Sequence, residues 1–153
     1  MDDAQLEQLA QMLRAPFPFV EHTGFHVLDL QPGSCHARMP LAPNVNHIGT
    51  MYAGALFTLA EVPGGAVSLA TFDPQAFYPI VKDVRIRFTA LATTDVDVRV
   101  ELPQSDIDRV LEEVDRHGKA DYAWECELTD AHGTVVARTE NLYQLRAHPK
   151  DAS

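Results

Sequence analysis

Apolar residues recur at helical spacing at the start of the chain, fill a long central stretch almost without interruption, and alternate with polar ones through most of the second half. In DDAQLEQLAQMLR, residues 2–14, Leu6, Leu9, Met12 and Leu13 share one helical face, and the acidic residues at the front suit the helix dipole. An amphipathic helix is expected within residues 1–15, stopped by Pro16 and Pro18. Phe25, Val27 and Leu28, then Cys35, Ala37 and Met39, read as two short strands of a hairpin whose turn is Gln-Pro-Gly-Ser.

Residues 50–72 are small and apolar apart from Thr58, Glu61, Ser68 and Thr71. At 100° per residue Thr58, Glu61 and Ser68 fall on one narrow stripe of a helix, for which Thr50 is the expected N-cap. Such a helix is about 30 Å long at ~1.5 Å per residue, but its glycines and carboxylate suit a buried core helix better than a membrane span. Beyond it, residues 81–88, 96–100, 122–128 and 135–145 alternate with period two, as strands of an antiparallel sheet with one wet face do. A turn at residues 129–133 joins the last two. Ile107, Val110, Leu111 and Val114 predict a helical insertion within residues 104–118, capped by Ser105 and stopped by Gly118, and residues 148–153 form a tail. The order predicts a single α+β domain over residues 1–153, an antiparallel sheet wrapped around one long central helix.

Composition narrows the partners. A chain with 46% hydrophobic and 22% charged residues is globular. Its formal charge of −10 opposes binding to nucleic acid, which depends on Lys and Arg displacing counterions. The start Met1-Asp2-Asp3 lacks the positive region of a signal peptide and no run suits a membrane span, so a soluble, cytoplasmic protein is expected. Cys35 and Cys126 form no C-x-x-C pair and are expected to be reduced thiols, Cys35 in the core. His22 and His26 are four apart with Gly24 between them, and no histidine pair has ligand spacing inside a predicted helix, so no metal site is expected.

Glu61 stands out by chemistry. A lone carboxylate on an apolar helix loses hydration, which raises its pKa toward that of a general base at neutral pH. The plainer alternative is a Glu that reaches solvent or pairs with Arg85 or Arg87. Asn46 could orient water or a carbonyl, or simply form a turn. His47 reads as a loop residue. Pro63 removes the donor to the carbonyl of Leu59 and should kink or loosen the helix beside Glu61. Lys82, Arg85 and Arg87 alternate along one strand and could meet anionic phosphates, or remain solvated charges.

The run Asn46-His47-Ile48-Gly49-Thr50-Met51-Tyr52-Ala53-Gly54-Ala55-Leu56-Phe57-Thr58-Leu59-Ala60-Glu61 resembles the signature of the hotdog-fold acyl-CoA thioesterases, of the phenylacetyl-CoA thioesterase type. Those families carry an asparagine, a His-Gly-Gly opening the helix, and Leu-Ala-Asp or Leu-Ala-Glu. The resemblance covers about residues 20–147, and the chain looks like the thioesterase-like branch with a helical insertion before its last two strands. Asn46 and Glu61 match the family residues, whereas Tyr52 replaces the histidine and Ala53 and Gly54 replace the glycines.

The resemblance implies hydrolysis of an acyl-CoA or acyl carrier protein thioester, with no cofactor beyond the coenzyme A of the substrate. Glu61 would be general base or nucleophile, Asn46 would hold water or the carbonyl, and the N–H groups at Ala53 and Gly54 would form the oxyanion hole. Substrate contacts are expected from Tyr52, His47, Thr58, Ser68, Lys82, Arg85 and Arg87. A non-catalytic acyl-binding module and a hydratase or dehydratase are the competing readings on the same fold. Ala53 and Glu61 are eight residues apart, about 12 Å along a helix, too far to serve one carbonyl. A homodimer is therefore expected, with Asn46 and Ala53 from one chain and Glu61 from the other, and two dimers could pair further.

Overall fold

Strands form where the alternation predicts them, and one wall of them closes around the central helix. In the computed structural model, which describes residues 4, 7 and 17–149, the chain runs α1 (Pro18–Thr23), β1 (His26–Gln31), β2 (Ser34–Met39), a 3-10 turn (Ala42–Asn44) and central helix α2 (Ala53–Thr71). There follow β3 (Phe77–Phe88), β4 (Val96–Glu101), α3 (Gln104–His117), β5 (Lys119–Asp130) and β6 (Val135–Ala147). Together they make the α+β hotdog architecture, a six-stranded antiparallel sheet in the order β1-β2-β4-β5-β6-β3 around α2. The expected opening helix lies outside the described residues except for Ala4 and Glu7, as does most of the tail.

Val96, Val98 and Val100 of β4 and Ala120, Tyr122, Trp124, Cys126 and Leu128 of β5 are buried at every second position. They meet Leu56, Leu59, Ala60, Ala66 and Val67 of α2 in one core, which Cys35 also joins. Burial pushes the Cys35 thiol up to about 12, so it behaves as a small apolar residue.

Local boundaries differ from the sequence reading in informative ways. Pro18, expected only to stop a helix, opens α1, because a proline at the first helical position has no needed donor to lose. Gly24, at φ +75°, ends that turn with its N–H on the carbonyl of Glu21. Thr50 is not the N-cap of the central helix: α2 starts at Ala53, Tyr52 holds the cap position without a side-chain bond, and Thr50 is tied to Asn46 instead. Ser105 is likewise inside the first turn of α3, behind Pro103 at the cap position. Gly118 does end α3, left-handed, with its N–H on Val114.

Strand β3 is the exception to clean alternation. It lies at the sheet edge, no residue of it is fully buried, and Val81 and Phe88 are exposed by 44% and 49%. Its register against β6 sets Val81 opposite Tyr143 and Val84 opposite Asn141, with a bulge at Lys82. Pro79, Val81, Val84, Ile86 and Phe88 thus share the face of Tyr143, and the outer edge of this long apolar strand has no partner among the described residues.

At Gly64 helix and sheet come closest. A Cβ there would stand 2.3 Å from Trp124 and 2.5 Å from Tyr143, rings that are themselves buried and packed, tilted by 39°, at a centroid distance of 4.6 Å. At Gly65 a Cβ would meet nothing within 4 Å. Gly64→Ala should therefore lower stability by up to about 2 kcal/mol, an overpacking cost of about 1–3 kcal/mol exceeding the helix-propensity gain of about 1 kcal/mol, whereas Gly65→Ala should hold or raise it. Thermal unfolding of the two variants checks this. Equal melting temperatures would show that the helix does not depend on this close approach.

Candidate active site

The start of α2 is presented by a short, heavily bonded loop. Asn44 donates from Nδ2 to the carbonyls of Thr23 and Pro40, both at 2.7 Å, and its own carbonyl accepts the N–H of Tyr52 at 2.8 Å. Asn46 closes the turn above it: its Oδ1 accepts the N–H groups of Ile48 at 3.0 Å and Thr50 at 3.1 Å, and its Nδ2 donates to the Thr50 hydroxyl at 2.9 Å. Gly49 at φ +82° completes the turn, and Val45 bridges Met51. The side chain of Asn46 is thus engaged within its own loop, where it positions the helix start.

At that start the N–H groups of Ala55 and Leu56 bond the carbonyl of Tyr52, while those of Ala53 and Gly54 meet no acceptor among the described residues. Unpaired donors at the positive end of a 19-residue helix form an anion-receptive site. The Tyr52 ring is 60% exposed and lies over Gly54, whose missing Cβ would be 2.4 Å from it. His47 sits beside this end, exposed in the loop.

Two turns further on, Glu61 is half-buried in an apolar cavity of about 300 Å³ whose lining includes Val62, Gly65, Leu69, Val81 and Tyr143. The Tyr143 hydroxyl donates to the Glu61 side chain at 3.1 Å and also contacts the Glu61 backbone carbonyl. Burial pushes the Glu61 carboxyl above its ordinary value, and the bond from Tyr143 offsets only part of that. Burial and the neighbouring Glu61 charge raise Tyr143 in turn, so the phenol keeps its proton and serves as donor. The helix continues through Pro63, and the Tyr143 hydroxyl fastens it to β6 in the turn before that proline.

Other candidates are placed elsewhere. Thr58 donates to the carbonyl of Gly54 at 2.8 Å, and Ser68 donates to that of Gly64 at 2.7 Å and pairs with the Tyr122 hydroxyl; neither lines the Glu61 cavity. Lys82 is paired with Asp121 at 2.9 Å and Arg85 with Asp83 at 3.3 Å. Arg85 stands opposite Glu140 and Arg87 opposite Arg138, on the face of the sheet turned away from Tyr143, so these cations do not converge on Glu61 within one chain. Neither does Glu61 pair with Arg85 or Arg87. Among the described residues no group of three His, Cys, Asp or Glu side chains is arranged to hold a metal.

Tyr143 and Gly65 were missed in the sequence. Tyr143 was within reach of it, because period two puts Tyr143 on the helix-facing side of the last strand with Thr139, Asn141 and Leu145. Nothing in the pattern of that strand said which helical residue it would meet.

A Pseudomonas aeruginosa protein of unknown function, named a probable thioesterase, is 46% identical to this chain, with 93% of this chain and 95% of that one covered at a TM-score of 0.87. A Shewanella oneidensis protein is 26% identical over 94% and 98% of the two chains, with a TM-score of 0.74. A Haemophilus influenzae thioesterase at 14% identity covers 97% and 94% with a TM-score of 0.74, a likeness of fold. No curated protein sequence matches the chain. The family model described as a domain of unknown function, DUF4442, matches residues 6–143, and the chain belongs to that family, within the hotdog-fold thioesterases.

Proposed function

We propose that the protein is a cytoplasmic thioesterase that hydrolyses an acyl-CoA or acyl carrier protein thioester without a cofactor of its own, with Glu61 as its catalytic carboxylate. The observation that carries this reading is a carboxylate half-buried at an apolar cavity, held by a tyrosine hydroxyl and shifted toward the range of a general base. The name of the Pseudomonas aeruginosa relative supports it.

As general base, Glu61 takes a proton from water, the water oxygen attacks the thioester carbonyl, the C–S bond breaks, and the thiolate leaves and is protonated. As nucleophile, its oxygen attacks the carbonyl, the C–S bond breaks and the thiolate leaves and is protonated, and water then opens the resulting anhydride to free the acid and the carboxylate. Either way, negative charge develops on the carbonyl oxygen, and free N–H groups such as those of Ala53 and Gly54 stabilise it. Tyr143 is a positioning residue that fixes the carboxylate.

Those N–H groups lie about 12 Å from Glu61 along the same helix, so the reading requires a second chain. In an isologous pair, antiparallel α2 helices bring the start of one beside Glu61 of the other and build two shared sites. The unpaired edge of β3, its apolar face, and exposed Val45, Ile48 and Phe57 near the helix start support a homodimer, which could pair again into a dimer of dimers.

Glu61→Gln should lower kcat by about 100-fold or more, measured on a panel of acyl-CoAs. Near-normal turnover would sink the mechanism. The wild-type rate should rise with pH along a single ionisation above the ~4.3 of a free Glu, because the carboxylate is the active form. A raised folded pKa also means that the contribution of Glu61 to stability is present below its unfolded pKa and lost as pH rises through the folded one. Glu61→Gln should then melt no lower than wild type at pH near 8, and a clear drop there would contradict the burial argument.

Shared sites are tested by refolding Asn46→Ala and Glu61→Gln chains together. Random pairing places one intact site in half of the dimers, restoring about a quarter of wild-type activity. A mixture as inactive as its parents, with mixed dimers shown to be present, would place the site within one chain.

A further inference from the structure

The cavity beside Glu61 has more to it than a place for the carboxylate. Along α2, Glu61, Gly65 and Leu69 follow one another at four-residue spacing, so they form a straight row about 12 Å long on one helix face. Phe17, Val20 and, from β3, Pro79 and Val81 line the same cavity. Among the described residues, Glu61 and Tyr143 are the only polar side chains in the lining. The polar groups therefore lie together at the Glu61 end, and the row beyond them is apolar.

Gly65 decides the bore. Its backbone has no positive φ, so no turn requires a glycine, and a glycine in a helix interior costs helix stability relative to alanine. A Cβ at this position would meet no atom within 4 Å, so close packing does not require a glycine either. What the missing side chain leaves is open space midway along the row. A volume of about 300 Å³ over about 12 Å gives a mean cross-section of about 25 Å², suited to one extended chain. At about 30 Å³ for a group the size of a water or a methylene, it holds roughly ten of them.

We propose that this cavity is the acyl subsite, that it takes an unbranched aliphatic acyl chain of up to about ten carbons with its thioester carbonyl at Glu61, and that Gly65 sets its width. The inference rests on the thioesterase reading for the position of the carbonyl, while the subsite itself is defined by binding.

Binding of non-hydrolysable S-alkyl-CoA thioethers, from ethyl to hexadecyl, measured by calorimetry, tests it without catalysis. In the wild-type protein affinity should rise about two- to four-fold per added methylene up to about ten carbons and then level off. Gly65→Val should remove the rise beyond about four carbons while leaving ethyl-CoA affinity unchanged, Gly65→Ala should reduce it by less, and Leu69→Ala should carry it to longer chains. An affinity independent of chain length in the wild type, or a wild-type profile in folded Gly65→Ala and Gly65→Val, would overturn the subsite. Chain-length-dependent binding with no hydrolysis of the matching acyl-CoAs would instead overturn the thioesterase reading and leave the subsite standing. Hydrolysis of every length at one rate, with flat binding, would do the reverse.

Discussion

Gly64 lets the backbone of the central helix lie directly on the rings of Trp124 and Tyr143, and the geometry of the candidate site follows from that approach. Only with the helix this close can the Tyr143 hydroxyl reach both the backbone and the side chain of Glu61, three residues before the glycine. The aromatic pair belongs to a larger cluster, since Tyr122 stands 6.1 Å from Trp124 and 5.9 Å from Tyr143 by ring centroids, and its hydroxyl meets Ser68. A packed interior transmits displacement, so a shift of any ring in this cluster moves the donor that holds the carboxylate. Fold stability and placement of Glu61 are here one constraint.

The same packing leaves one side of the molecule unfinished. A helix that packs on all six strands still leaves Ala53 and Phe57 exposed, and β3 has an outer edge unpaired among the described residues and an apolar stripe. Exposed strand edges of this kind are a liability in water unless something covers or pairs them. The donors at Ala53 and Gly54 and the proton acceptor at Glu61 are separated along one helix by more than one substrate carbonyl can span. A second chain would complete both the packing and the chemistry, and for this reason the proposed site and the proposed dimer are a single idea.

Periodicity made the fold legible. Alternation at Val96, Val98 and Val100 and through β5 marked strands whose inner residues are buried, and the long apolar run marked a helix inside them. Element starts were less legible, because they depend on hydrogen-bond partners far away in sequence: Thr50 has the composition of a cap, but Asn46 claims it, and Asn44 anchors the loop to Thr23 and Pro40. Glu61 could be singled out because a lone carboxylate on an apolar helix is costly to bury. The inward face of Tyr143 was legible in the alternation but its role was not, since its partner is 82 positions away in sequence and only the fold brings them together. The alternation of Lys82, Arg85 and Arg87 was visible too, but the bulge at Lys82 and the pairing with β6 decide which face they occupy, and neither is written in the strand itself.

Gly64 and Gly65 show how far a residue type underdetermines its role. They follow one another directly behind Pro63, yet neither adopts a backbone conformation that requires glycine. Successive helical residues differ by about 100° in direction, so one of the pair faces the sheet and the other the cavity. Gly64 is needed because the space is already filled by two rings, and Gly65 matters because its space is empty. Exchanging a hydrogen for a methyl group therefore has opposite meanings at adjacent positions: at one it displaces the tyrosine that holds Glu61, and at the other it narrows the channel that leads to it.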